Sequence, residues 1–181
     1  MRGETAMLCE ECKIEMRVER ATNENPYRFE KCGLANVQLI GIDKFVCPRC
    51  KAVYPVVPKM QELHKVIALA LINKPVELMG QEVRYLREWM GVSSQDFAEV
   101  LGFGPEHMSK VENNHAKLGA AGDRLVRLCA WAKIKSVAYD EVSERFRKLK
   151  RLKASRARVI HRRIELEADQ TWKVQRTTTA A

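Results

Sequence analysis

The chain has 181 residues, 46% of them hydrophobic and 30% charged, with a formal net charge of +9. That is enough for one generous domain or two small ones with a real core. No stretch approaches the roughly 18 consecutive apolar residues of a membrane span, and the opening MRGETAMLCEEC lacks the apolar centre of a secretory signal, so the expectation is a cytoplasmic protein with reduced thiols and no membrane partner.

The front of the chain, residues 1–58, reads as a zinc-binding domain. Cys9 and Cys12 form one C-x-x-C pair, and Cys47 and Cys50 form another. Two such pairs bring four thiolates to one point, which suits tetrahedral Zn²⁺. The 34 residues between the pairs exceed the usual gap of roughly 15–20, so an insertion lies between them. Within it Val37, Leu39, Ile40, Ile42, Phe45 and Val46 read as one or two strands broken at Gly41. A rubredoxin-like iron site uses similar pairs, and four thiols without metal is the third reading. Four cysteines would close the shell, and no H-E-x-x-H stands beside them, so the metal reads as structural rather than catalytic. Cys32, a fifth thiol in this half, reads as a small buried hydrophobe.

Pro55 and Pro58 punctuate the end of that domain. Over residues 59–75, Met60, Leu63, Val66, Ile67, Ala70 and Leu71 recur with helical period, and Asn73-Lys74-Pro75 stops the helix. This is a connecting helix, in which His64 reads as a packing or surface histidine.

Residues 76–133 read as a helical domain. Val83, Leu86, Trp89 and Met90 give one apolar face over 82–90, and Gly91 can end that helix in the left-handed region. Ser93, three residues before Asp96, is a capping signal for a second helix carrying Phe97, Ala98, Val100 and Leu101. Gly102 and Gly104 break the chain, and Pro105 suits the first position of a third helix. Two short helices joined by a tight glycine-containing turn are a helix-turn-helix, whose second helix enters the DNA major groove. Beyond a loop with Lys117 and Gly119, Asp123 is placed to cap a last helix. Leu125, Val126, Leu128, Cys129 and Ala132 are its expected buried stripe.

Residues 134–181 read as a basic helical tail. From residue 133 onward there are 14 Lys/Arg against 6 Asp/Glu, or +8, so nearly all of the net charge lies there. Val142, Phe146, Leu149, Ala157, Ile160 and Ile164 fall on one helical face. Three readings stay open: a solvated helix docked by its apolar stripe, a nucleic-acid clamp, or a toxin- or membrane-binding helix. Residues 177–181 are expected to be disordered. No Walker loop, nucleophile elbow or dinucleotide fingerprint is present, so no enzymatic activity is expected.

Ser94-Gln95, Phe97-Ala98, Leu101-Gly102 and Met108-Ser109 with Glu112 resemble the Xre/Cro helix-turn-helix repressors. Asn114 stands where that family usually has glycine, and asparagine also tolerates the left-handed region. The resemblance implies that Gln95 touches DNA, that Glu106, His107 and Lys110 face the groove, and that Ser109 bonds backbone or phosphate. The contact set expected on this likeness is Ser94, Gln95, Glu106, His107, Ser109, Lys110, Asn113 and Lys117.

The four cysteines ahead of such a domain resemble the YgiT/MqsA antitoxins. Tyr27-Arg28-Phe29, Cys32-Gly33-Leu34, Asn36-Val37, Glu62-Leu63-His64 and Gly80-x-Glu82-Val83-Arg84 read like family blocks, and the likeness covers about residues 8–132. With the reading of the residues it gives an α+β chain: a small zinc-bound β domain, an all-α Xre-type helix-turn-helix domain, then, outside the resemblance, the basic C-terminal helix. It implies a homodimeric repressor on a palindromic operator in double-stranded DNA, autoregulating a toxin–antitoxin operon. The alternatives are a zinc-dependent toxin-neutralising interaction protein and a phage or plasmid regulator with no toxin partner.

Overall fold

The computed structural model describes residues 7–134 and 162–175. Most of the expected basic helix, including Val142, Phe146, Leu149, Ala157 and Ile160, lies outside the described residues, as does the terminal 177–181.

The architecture is mixed α+β, with strands in front and helices behind. Strands β1 (Arg17–Arg20), β4 (Asp43–Val46) and β5 (Val53–Pro55) form an antiparallel sheet in the order β1-β4-β5. Strands β2 (Tyr27–Arg28) and β3 (Val37–Ile40) belong to a second sheet, ordered β2-β3-β6-β7. The break expected at Gly41 falls between β3 and β4, and the glycine adopts φ +75°. Two features demand glycine there. Left-handed backbone suits it, and a Cβ would lie 2.5 Å from the Leu166 carbonyl oxygen.

The last two strands correct the sequence reading. Residues 162–175 are not helical. They form a hairpin of β6 (Arg162–Leu166) and β7 (Trp172–Val174). Ile164, expected on a helical face, sits instead in β6 opposite Leu39, in parallel pairing with β3. The cause is a two-residue period. Ile164 and Leu166 are buried while Arg163 and Glu165 are half-exposed, which fits a strand with one face on a core. Trp172 closes that face and donates from Nε1 to the Pro58 carbonyl at 3.2 Å.

Among the described residues, five helices lie between β5 and β6 in the chain. Helix α1 (Met60–Ile72) ends at Asn73, as its stop signal implies. Helix α2 (Gly80–Met90) ends at Gly91 in the left-handed region. In α3 (Ser94–Leu101) the Ser93 hydroxyl accepts from the Asp96 N–H at 3.1 Å, and Gly102 ends the helix at φ +72°. Helix α4 (Pro105–Glu112) carries proline at its start. Helix α5 runs over Gly119–Ile134.

One main core joins Val37, Leu39 and Ile42 of the front to Leu63, Ile67, Leu86, Phe97, Met108, Val126 and Trp172. The boundary drawn after residue 58 therefore does not coincide with a gap in this core. A separate small core of Cys9, Met16 and Cys47 lies in the front lobe.

Helix α5 departs from the expected phase. Its buried residues are Gly122, Asp123, Val126, Arg127 and Ala130, while Ala132 is exposed and Leu125, Leu128 and Cys129 are half-buried. Asp123 lies inside the helix rather than capping it. Its carboxylate accepts from the Leu78 N–H at 2.7 Å and from Arg127 Nε at 2.8 Å. The fully buried Arg127 also donates to the carbonyls of Ile72, Lys74 and Val76 at 3.1, 2.6 and 2.6 Å. These are backbone acceptors at and beyond the end of α1, which no intrahelical donor reaches. The guanidinium thus satisfies the α1–α2 connection from within. Lys74 and Glu82 add a second buried pair, Nζ to Oε2 at 2.6 Å.

Candidate functional site

Two tight turns carry the four front cysteines, and the turns share one design. The Cys9 N–H donates to the Ile14 carbonyl and the Lys13 N–H to the Cys9 carbonyl, both at 2.9 Å. Likewise the Cys47 N–H donates to Ala52 at 2.9 Å and the Lys51 N–H to Cys47 at 3.1 Å. Lys13 and Lys51 both adopt left-handed backbone, at φ 56° and 63°. The repeated C-x-x-C-Lys is thus the sequence sign of two equivalent knuckles. Each knuckle brings both of its sulfurs into one cluster.

The sulfurs of Cys9, Cys12, Cys47 and Cys50 all lie within 4.8 Å of one another, with Cys9 and Cys50 at 3.5 Å. A tetrahedral ion with metal–sulfur bonds near 2.3 Å has sulfur–sulfur edges of about 3.8 Å. The cluster brackets that value, so the four residues could hold a metal ion such as zinc. Electrostatics agree with the donor set. Burial opposes ionisation of the Cys47 thiol, but the N–H groups of Cys50 and Arg49 and the neighbouring thiols bring it down to about 6. The Ala52 N–H favours the Cys50 thiolate, yet Cys47 beside it and burial push Cys50 up to about 12. Four thiolates this close would repel one another, which a divalent cation at their centre would offset. Cys32 is not part of this group. It donates to the Phe29 carbonyl at 3.0 Å, and burial raises its pKa.

The second candidate site is the outer side of α4. Met108, Val111 and Glu112 are buried, while Pro105, Glu106, Ser109 and Lys110 are exposed, with Asn113 exposed just beyond the helix. Helices α3 and α4 pack on each other across Gly102-Phe103-Gly104. His107 is half-buried, its ring tilted against Phe103 at 4.9 Å between centroids. Gln95 is exposed at the start of α3, Ser94 is half-buried there, and Lys117 is exposed in the loop after α4. The structure thus brings Glu106, Ser109, Lys110 and Asn113 to one surface. Asn113 is less free than its exposure implies. Its Oδ1 accepts from Arg84 Nη2 and its Nδ2 donates to the Ser109 carbonyl, both at 2.9 Å.

Sequence reasoning missed how α4 is held. Arg87 donates to the buried Glu112 through Nε at 2.6 Å and Nη2 at 3.1 Å, and Arg84 Nε reaches the same carboxylate at 3.3 Å. Asn114 does adopt φ 61°, and its Oδ1 also accepts from the Gly80 N–H at 2.7 Å. A charge face on an amphipathic helix such as α2 gives no local sign that two of its arginines turn toward a distant glutamate.

Fold and site together define a mixed α+β chain with a cluster of four thiols in its front lobe that could hold a metal ion, and a pair of short helices behind it. No known family's sequence profile, no curated protein and no solved structure matches the chain. Among the described residues, no helix is long and apolar enough to cross a membrane.

Proposed function

We propose that this chain is a sequence-specific DNA-binding transcriptional repressor, an autoregulating antitoxin of the MqsA type with a structural zinc. The observation that carries the reading is the pair α3 and α4. Both are eight residues long, they are joined by a three-residue turn, and the second has an exposed polar side over a buried apolar one. That is the form of a helix-turn-helix whose second helix lies in the major groove. Gln95, Glu106, His107 and Lys110 would meet the groove, with Ser94, Ser109 and Lys117 on the backbone. A homodimer would set two copies of α4 about 34–36 Å apart on a palindrome and exclude polymerase by competition. The four cysteines brace the front lobe, and catalysis has no part in this reading.

Fluorescence anisotropy of the zinc-loaded chain with duplexes from upstream of its own gene tests this. Tight binding to a palindromic fragment over a scrambled one, at moderate salt, is the expected result. Equal affinity for both would overturn it.

One observation favours a second reading, a zinc-dependent protein that neutralises a toxin. Leu8, Val18, Val53 and Val56 of the front half are all more than two-fifths exposed, apolar area that a bound toxin would cover. Co-purification with the product of the adjacent gene, lost on chelation, would support it. A co-expressed pair that elutes separately would exclude it.

A further inference from the structure

The outer side of α4 separates side chains that hold the protein together from those left for a ligand. Glu112 is bound by two arginines, and both ends of the Asn113 amide are engaged. Glu106 and Lys110 are exposed, and among the described residues neither side chain has a hydrogen-bond or ion-pair partner. They stand four residues apart, hence on the same side of the helix and about 6 Å along it.

A free carboxylate on a surface meant for DNA needs explanation. It adds repulsion from every phosphate and contributes nothing to non-specific affinity. It gains only where a base offers a donor. In the major groove two bases do. The adenine amino group lies beside the N7 acceptor, which a carboxylate disfavours, whereas cytosine presents its N4 amino group without that neighbour. Lysine has the opposite preference, for the O6 and N7 acceptors of guanine. The N-terminal residues of a recognition helix are those that reach base edges, and Glu106 is the second residue of α4.

We infer that Glu106 is a specificity-determining residue that reads cytosine, with Lys110 on a guanine one or two base pairs away. The spacing follows from 6 Å of helix against about 3.4 Å per base step. This inference rests on the DNA-binding reading above and names the bases its half-site must contain. Glu106 also has a bland role, since an acid in the first turn complements the helix dipole. That role predicts a small stability change and no change in base preference.

The test is binding-site selection from a random duplex library, at one fixed salt concentration, with the full zinc-loaded chain and its Glu106→Gln and Lys110→Met variants. Circular dichroism checks that each variant is folded. The full chain is expected to enrich a motif with cytosine at one position and guanine one or two steps away. Glu106→Gln should keep the rest of the motif, lose the cytosine preference by about tenfold or more, and bind random DNA at least as tightly. Lys110→Met should relax the guanine position and weaken binding to random DNA. A motif whose base preferences are the same in Glu106→Gln, or which relaxes at a base other than cytosine, overturns the inference while leaving the DNA-binding reading standing. No enriched motif with the full chain overturns both.

Discussion

Arg87 and Glu112 meet fork to fork between α2 and α4, with Nε to Oε1 at 2.6 Å and Nη2 to Oε2 at 3.1 Å. Both side chains are close to fully buried, whereas Arg84, the carboxylate's second partner, is two-fifths exposed. The first pair is therefore the strong contact, and the second is screened by solvent. Replacing Glu112 with alanine would remove the fork while leaving Arg87 its bonds to the Val92 carbonyl and Glu88, a change worth about 1.5–3 kcal/mol, the range for hydrogen bonds to charged groups. Urea unfolding of Glu112→Ala should show a loss of that order, and Arg84→Ala a much smaller one. Equal midpoints for Glu112→Ala and the parent chain would contradict the assignment.

Gly80 lies where α2 begins against the end of α4. A Cβ there would sit 2.2 Å from the Val111 carbonyl oxygen and 2.6 Å from that of Glu112. Both neighbours are backbone and cannot swing aside. Gly80→Ala should therefore destabilise the fold by about 1–3 kcal/mol, the range for overpacking, and shift α4 relative to α2. Thermal melts read the first effect and DNA affinity the second. A variant as stable as the parent would show that the two helices separate freely.

Metal removal should act locally. The small core of Cys9, Met16 and Cys47 is separate from the main core, and two of its three residues are candidate ligands. Metal-binding free energy in such small lobes is folding free energy. A competing chelator, or Cys47→Ser, should strip hydrogen-exchange protection from residues 7–20 and 43–55 while α1 to α5 stay protected. Simultaneous loss of protection in the helices would refute this independence.

His64 gives a pH dependence. Its Nδ1 lies 2.8 Å from the Tyr85 hydroxyl, which in turn donates to the His64 carbonyl at 3.1 Å. Burial lowers its pKa from the ordinary value of about 6.5. The unfolded chain then binds the proton more readily than the folded one. The contribution of neutral His64 is fully present above about pH 6.5 and is lost as pH falls through the lowered folded value. The stability difference between the parent and His64→Gln should shift against the parent between pH 7 and pH 5. A difference independent of pH would remove His64 from the account.

Where the chain speaks locally, its structure is legible. Gly91, Ser93, Gly102 and Pro105 bound α2, α3 and α4 because caps and left-handed turns are decided within a few residues. The four cysteines declared themselves through spacing. Helix α5 misled because Asp123 and Arg127, polar in any hydrophobicity pattern, satisfy each other at i,i+4 and turn inward. The hairpin of β6 and β7 was missed because Ile164 fits a helical face as well as a strand. The two-residue period over 163–166 is short, and pairing with β3 and β7 selects the strand. The contact set on α4 came from resemblance. Its geometry distinguishes the engaged Asn113 from Glu106 and Lys110, whose side chains have no partner among the described residues.

The parallel seam between β3 and β6 also has a consequence for synthesis. On the ribosome, β3 emerges early with one edge unfilled and Leu39 waiting for a neighbour that is translated much later. Until Ile164 arrives, that open edge can recruit another nascent chain. Production in cells should therefore be sensitive to premature termination before β6, which would leave fragments prone to clumping rather than shortened but serviceable proteins.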